Sequence, residues 1–143
     1  MLQQAVDRQL VAQETPLELC VVIPTLNEAG NVELLLDKLG IALAGIEWEA
    51  IFVDDGSTDG TPEILTRIAQ SDRRVRMIRR IGRRGLSSAV VEGALASTTP
   101  VIAVIDADLQ HGLERRGELA NLLRSIEWRQ ELDRIAQFLD IDP

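Results

Sequence analysis

A single cysteine, Cys20, rules out an internal disulfide. It sits inside an apolar run and reads as a small buried hydrophobe, in a chain suited to a reducing, cytoplasmic compartment. The first eighteen residues have no basic start leading into a continuous apolar stretch; Asp7, Arg8, Glu14 and Pro16 interrupt them, so they do not read as a signal peptide. Nowhere do eighteen uncharged apolar residues run together, so no segment is expected to span a membrane, and any membrane contact is expected to be peripheral. A basic surplus is also missing. Lys and Arg number 15 against 23 Asp and Glu, and a net charge of −8 argues against nucleic acid as a partner. There is no Walker A sequence and no G-x-G-x-x-G, which disfavours NTPase and dinucleotide readings. No internal repeat or low-complexity tract is visible.

What is present is an ordinary globular composition, 45% apolar and 27% charged over 143 residues, enough for one domain and too little for a second. Residues 19–24, LCVVIP, form a β-branched run closed by a proline, the pattern of a buried parallel strand. A helix should follow, with Asn27 as its cap and Val32, Leu35, Leu36, Leu39 and Leu43 on its apolar stripe. WEAIFVD at 48–54 is the next strand, and Gly56, Ser57, Asp59 and Gly60 turn the chain into a helix bearing Ile64, Leu65 and Ile68. A third strand is expected over 75–81, a helix opened by Gly82 to Gly85 and carrying Ala89, Val90, Gly93 and Ala94, then a fourth strand at 101–106. Strands alternating with helices predict an α/β fold, a parallel sheet with helices on both faces. Ligands of such sheets bind beyond the carboxyl ends of the strands, where Pro24, Asp54, Asp55, Asp106 and Asp108 fall.

Asp106-Ala107-Asp108 is the strongest chemical signal. An apolar strand that ends in two carboxylates incurs a desolvation cost unless a cation compensates it. Alternate residues of an extended chain point the same way, so both can address one site, and hard oxygen donors suit Mg²⁺ or Mn²⁺ bridging a diphosphate. The same aspartates could instead solvate a strand end or cap the next helix. Asp54-Asp55-Gly56-Ser57 is either a simple turn or an acceptor cluster for ribose hydroxyls and base N–H groups. Eight arginines, at 67, 73, 74, 76, 79, 80, 83 and 84, crowd one stretch, either as a solvated helix-to-strand connection or as a patch for phosphates or anionic lipid. A phosphatase with Asp106 as nucleophile and Asp108 as acid fits the DxD superficially. It would place that strand first in its domain and a hydroxyl or β-branched residue at position 110.

Four blocks in order, VVIPTLNEAGN at 21–31, IFVDDGSTDGT at 51–61, RRGLSSAVVEGA at 83–94 and VIAVIDADLQH at 101–111, resemble those of inverting family 2 glycosyltransferases, the dolichyl- or polyprenyl-phosphate mannose synthases in particular. The resemblance covers about residues 19–111 and implies the nucleotide-binding half of a GT-A, Rossmann-like fold. The implied reaction moves a sugar from GDP- or UDP-sugar to a lipid phosphate with inversion. By position, it implies that Pro24, Leu26 and Glu28 line a nucleoside pocket with Val53 and Asp55. Leu26 stands where tyrosine is common, so weaker base stacking is expected. It also implies that Asp106, Ala107 and Asp108 meet the diphosphate and sugar, that Asp106 and Asp108 carry the catalytic role, and that they hold Mg²⁺ or Mn²⁺ together with Gln110.

Outside the motif Gln110 would read as a helix-start residue, and His111 is either a neighbour of the metal or a loop residue. Arg83 and Arg84, in the loop before Gly85, either approach phosphates or are solvated. Cleaving a sugar–phosphate bond builds charge on the departing diphosphate, which a divalent ion stabilises, and an anionic acceptor phosphate needs no strong general base. Residues 1–18 read as an N-terminal extension and 112–143 as a helical segment unlike the family, with an apolar stripe from Leu119 to Leu139 that packs on the sheet or binds another subunit. The absent acceptor half implies a truncated product, a fragment, or a short relative completed by a homo-oligomer or partner subunit. A non-catalytic nucleotide-sugar-binding scaffold is the alternative.

Overall fold

The structure, a computed structural model, describes residues 15–108. The expectations for residues 1–14, for Gln110 and His111, and for the segment 112–143 lie outside the described residues. Seven elements follow in chain order: β1 (Leu19–Thr25), α1 (Val32–Ala42), β2 (Trp48–Asp54), α2 (Thr61–Ser71), β3 (Val75–Arg79), α3 (Leu86–Leu95) and β4 (Val101–Val104). The four strands form one parallel sheet in the order β3-β2-β1-β4.

The apolar runs explain the layers. Every residue of β2 is buried, and β1 is buried except at half-buried Pro24, as expected of central strands covered on both faces. Leu19, Val21, Ile23, Ala50 and Phe52 face one side, packed with Val32, Leu35 and Leu39 of α1 and Leu65 of α2. Cys20, Val22, Ile51, Val53 and Ile102 face the other, packed with Ala89 and Ala94 of α3. Handedness accounts for this split: stepping from β1 through β2 to β3 with right-handed crossovers keeps α1 and α2 on one face, and the return past β1 to β4 puts α3 on the other. Burial pushes the Cys20 thiol up to about 12, the state of an unreactive core residue.

Gly93 sets how closely α3 seats. A Cβ there would stand 2.4 Å from Val22 Cγ1 and 3.0 Å from Val53 Cγ2, so α3 lies on the two central strands with no room for a side chain.

Three expectations about boundaries are corrected. Asn27 does not cap α1, which begins at Val32 with Asn31 before it; Asn27 has φ 54° and is engaged across the loop instead. The third strand stops at Arg79 rather than Ile81: Arg80 N still donates to Asp54 O at 2.9 Å, and the chain then turns at Gly82 (φ 72°). The fourth stops at Val104 rather than Asp106, for a reason visible in β1. Ile105 N donates to Val22 O at 3.1 Å, and the next bond of a parallel ladder would come from the N–H of residue 24. Proline has none, so the pairing ends and residues 107–108 form a turn. The alternation of an extended strand therefore does not govern Asp106 to Asp108.

Candidate active site

The strand order reverses beside β1: the chain first builds outward to β2 and β3, then returns to β4 on the other side. Such a reversal opens a crevice at the carboxyl ends of β1 and β4, where open α/β sheets take ligands. Pro24 and Leu26 leave β1 at that crevice, and Asp106 to Asp108 leave β4. The ends of β2 and β4 are two strand spacings apart, about 10 Å.

Two loops line this edge and are laced together. Asp54, wholly buried, accepts from Gly56 N (3.2 Å), Ser57 N (3.1 Å) and the Ser57 hydroxyl. Ser57 Oγ in turn accepts from Asn27 N at 2.8 Å, and Asn27 Oδ1 accepts from Thr58 N at 2.9 Å. Glu28 N donates to Thr61 Oγ1 (3.0 Å) and Ala29 N to Asp59 Oδ2 (3.1 Å), while Thr61 Oγ1 donates to Asp59 Oδ1 (2.5 Å). The Thr61 hydroxyl, then the backbone donors, hold the Asp59 carboxyl below its ordinary 3.8. Because that value is lowered on folding, this lacing is complete above the ordinary carboxylate range and is lost only as pH falls below it. Loop 26–31 is thus fixed by loop 55–61 without any regular structure of its own. Glu28 is half-buried and accepts from Asn31 Nδ2 at 2.8 Å; Leu26 is exposed.

Asp55 belongs to a second network. Arg80, its side chain 1% exposed, donates from Nε to Asp55 Oδ1 (2.6 Å) and from NH2 to Asp55 Oδ2 (3.0 Å) and Gly85 O (3.0 Å). Its NH1 donates to Ser88 Oγ (2.8 Å) and Glu92 Oε2 (3.1 Å). The Asp55 hydrogen bonds hold the guanidinium pKa above its ordinary value, with Glu92 adding to this and burial opposing it. Gly85 N donates to Asp55 Oδ2 at 3.2 Å, which fastens the loop before α3 to the end of β2.

The nominated residues divide accordingly. Pro24, Leu26, Glu28 and Asp55 gather at the carboxyl edge around β1 and β2. The Val53 side chain is buried against α3, so any lining it provides comes from its backbone. Ala107 is 2% exposed and inserts into the core on the α1 and α2 side, anchoring the turn between exposed Asp106 and half-buried Asp108. Among the described residues no group of three or more His, Cys, Asp or Glu gathers as a metal cage. Two carboxylates are nonetheless a fitting set for Mg²⁺ or Mn²⁺, which usually take one or two carboxylates and complete their shell with substrate phosphates and water. Arg83 and Arg84 lie in the loop between β3 and α3: Arg83 pairs with Glu92 (2.8 Å), and Arg84 NH2 is 3.7 Å from where a Gly56 Cβ would stand, beside the end of β2.

The arginine run does not form one patch. Arg67 pairs with Glu33, Arg74 with Asp72 while stacking on Trp48, Arg76 with Glu49, and Arg80 with Asp55 and Glu92. Sequence reasoning missed Arg80 as the buried member, and missed Ser88 and Glu92. The available signal was their spacing of four on an otherwise apolar helix, which marks a polar stripe facing a partner.

The chain is similar to known proteins. The family model described as glycosyl transferase family 2 matches residues 20–128. The chain is 42% identical over 95 residues to a dolichol-phosphate mannosyltransferase of Pyrococcus furiosus, covering 66% of this chain and 27% of that one. A dolichol-phosphate mannosyltransferase of Saccharomyces cerevisiae is 37% identical over 98 residues, covering 66% and 37%. Among solved structures, the mannosyltransferase PcManGT from Pyrobaculum calidifontis, in complex with GDP-Man and Mn²⁺, superposes with a TM-score of 0.62 at 24% identity, covering 89% of this chain and 38% of that one. Glucosyl-3-phosphoglycerate synthase from Mycobacterium tuberculosis, in complex with Mn²⁺, UDP and glucosyl-3-phosphoglycerate, gives 0.51 at 30% identity, covering 64% and 33%. The chain thus spans about a quarter to two-fifths of the length of these relatives.

Proposed function

Because the chain belongs to glycosyl transferase family 2, we propose that its carboxyl edge is the donor half of a glycosyltransferase, taking a GDP- or UDP-sugar and passing the sugar with inversion to a polyprenyl phosphate. The observation that carries this reading is that Glu28, Asp55, Asp106 and Asp108 all follow the carboxyl ends of three neighbouring strands, β1, β2 and β4, at the edge where the strand order reverses. The names of the relatives support the mannosyl donor and lipid-phosphate acceptor, and the bound GDP-Man, UDP and Mn²⁺ of the structural neighbours support the ligand class.

In this reading the nucleoside lies across the laced loops 26–31 and 55–61, with Asp55 accepting from the base or ribose. The diphosphate extends toward the turn after β4. Asp106 and Asp108 would hold Mg²⁺ or Mn²⁺, which when bound neutralises charge developing on the departing diphosphate. The chain's own residues bind and orient: the laced loops are fixed before the donor arrives, so little ordering cost falls on binding. The acceptor phosphate attacks as an anion, so no side chain is required as a strong base. Among the described residues no helix is long and apolar enough to cross a membrane.

A second reading, a non-catalytic nucleotide-sugar-binding scaffold, rests on the same donor edge without requiring sugar transfer. Calorimetric titration of GDP and UDP with and without Mn²⁺ tests what both share. Mn²⁺-dependent binding of one of them is expected, and no binding of either refutes both. Supplying polyprenyl phosphate and labelled donor then separates them, since only the first yields sugar-labelled lipid.

A further inference from the structure

We propose that Glu92 is a positioning residue for the nucleoside end of this site, acting through Arg80 on Asp55. The inference rests on the reading that Asp55 receives the nucleoside. A guanidinium has five N–H donors, and all five of Arg80 go to protein acceptors: two to Asp55 and one each to Gly85 O, Ser88 and Glu92. Arg80 has no donor left for a ligand, so whatever it does for one it does through the carboxylate it holds.

Asp55 is correspondingly constrained. A carboxylate offers about four acceptor positions. Arg80 Nε, Arg80 NH2 and Gly85 N occupy three, leaving one direction for a ribose hydroxyl or base N–H. Which direction remains depends on where the guanidinium plane lies, and that plane is fixed from its far side by Ser88 and Glu92 on α3. The contact of Gly93 with Val22 and Val53 seats that helix rigidly on β1 and β2. Glu92 also balances charge. With Arg83 on its second oxygen at 2.8 Å, the cluster is two cations against two carboxylates. Without the Glu92 charge, Asp55 is the one carboxylate left paired with Arg80. Arg80 is then free to rotate further onto Asp55 and take the remaining acceptor position.

The test is a double-mutant cycle on nucleoside diphosphate binding with Mn²⁺, using whichever of GDP and UDP the unaltered chain binds. Glu92→Gln, which keeps an acceptor but removes the charge, is expected to weaken binding about 10-fold, the scale of losing a supporting partner behind a ligating group. The loss should be the same for the nucleoside monophosphate, since it concerns the nucleoside end, and the Mn²⁺ concentration dependence should not move. Combined with Asp55→Asn, the loss should be far less than additive. Unchanged affinity in Glu92→Gln, or full additivity with Asp55→Asn, overturns the proposal while leaving the functional reading intact. Failure of the unaltered chain to bind either nucleotide overturns that reading and this inference with it. Circular dichroism checks that Glu92→Gln folds; if it does not, Ser88→Ala interrogates the same linkage with the same expected non-additivity.

Discussion

Asp108→Ala is expected to remove the Mn²⁺-dependent part of nucleoside diphosphate binding, a loss of at least about 100-fold, the upper end of what even outer-shell partners of a metal contribute. The expectation follows from how few ligands the protein supplies. An ion held by two carboxylates and by the substrate's own phosphates loses half its carboxylate anchors with either residue. Asp106→Ala should behave alike, and because Asp106 is exposed its replacement should leave the thermal midpoint nearly unchanged. Ala107 is the contrasting position. It is buried, so enlarging it to leucine would disturb the turn by overpacking rather than by removing a ligand. Calorimetry with GDP and UDP at fixed Mn²⁺ reads all three variants, and unchanged affinity in both aspartate variants would exclude this turn as the metal site.

Arg80→Met is expected to cost about 3 kcal/mol of folding stability, toward the lower end of the range for removing one partner of a buried charge network. The lower end applies because Asp55 and Glu92 retain 13% and 20% side-chain exposure and recover some hydration once the guanidinium is gone. For a chain of this size that corresponds to a fall of roughly 10 °C in thermal midpoint. Arg67→Met is the matched control. Its pair with Glu33 has both side chains 67% exposed, so the change should stay within about 0.5 kcal/mol. Equal effects of the two substitutions, measured by thermal denaturation, would remove the distinction between Arg80 and its neighbours.

That distinction was not legible in the sequence. Arg79, Arg80, Arg83 and Arg84 are chemically the same residue within six positions, and only the sheet decides which one turns inward. The layers were legible, because β1 and β2 are central strands whose apolar runs report burial on both faces; β2 was expected at 48–54 and is found there. Strand ends were less so. The fourth apolar run continues through Ile105, yet β4 stops at Val104 because a proline in β1, eighty residues earlier, withholds the donor its next rung needs. Pairing partners are not adjacent in sequence, so no local pattern could place that end. Asn27 failed as a cap for a similar reason. Its side chain finds Thr58 N in the neighbouring loop, a partner visible only once β1 and β2 lie side by side. The acidic strand ends are the part of the proposed site that sequence alone nominates, since carboxylates closing apolar strands are unusual on energetic grounds alone.

Paramagnetic broadening by Mn²⁺ is the most direct test of the central claim that the turn after β4 and the loop after β1 form one metal-dependent nucleotide site. With ¹⁵N-labelled protein, nucleoside diphosphate and substoichiometric Mn²⁺, the amides of residues 104–108 should broaden first, followed by those of residues 25–28, while the carboxyl-terminal turn of α2 and the start of β3 stay sharp. Broadening centred elsewhere, or broadening at 104–108 that is indifferent to the nucleotide, would contradict it.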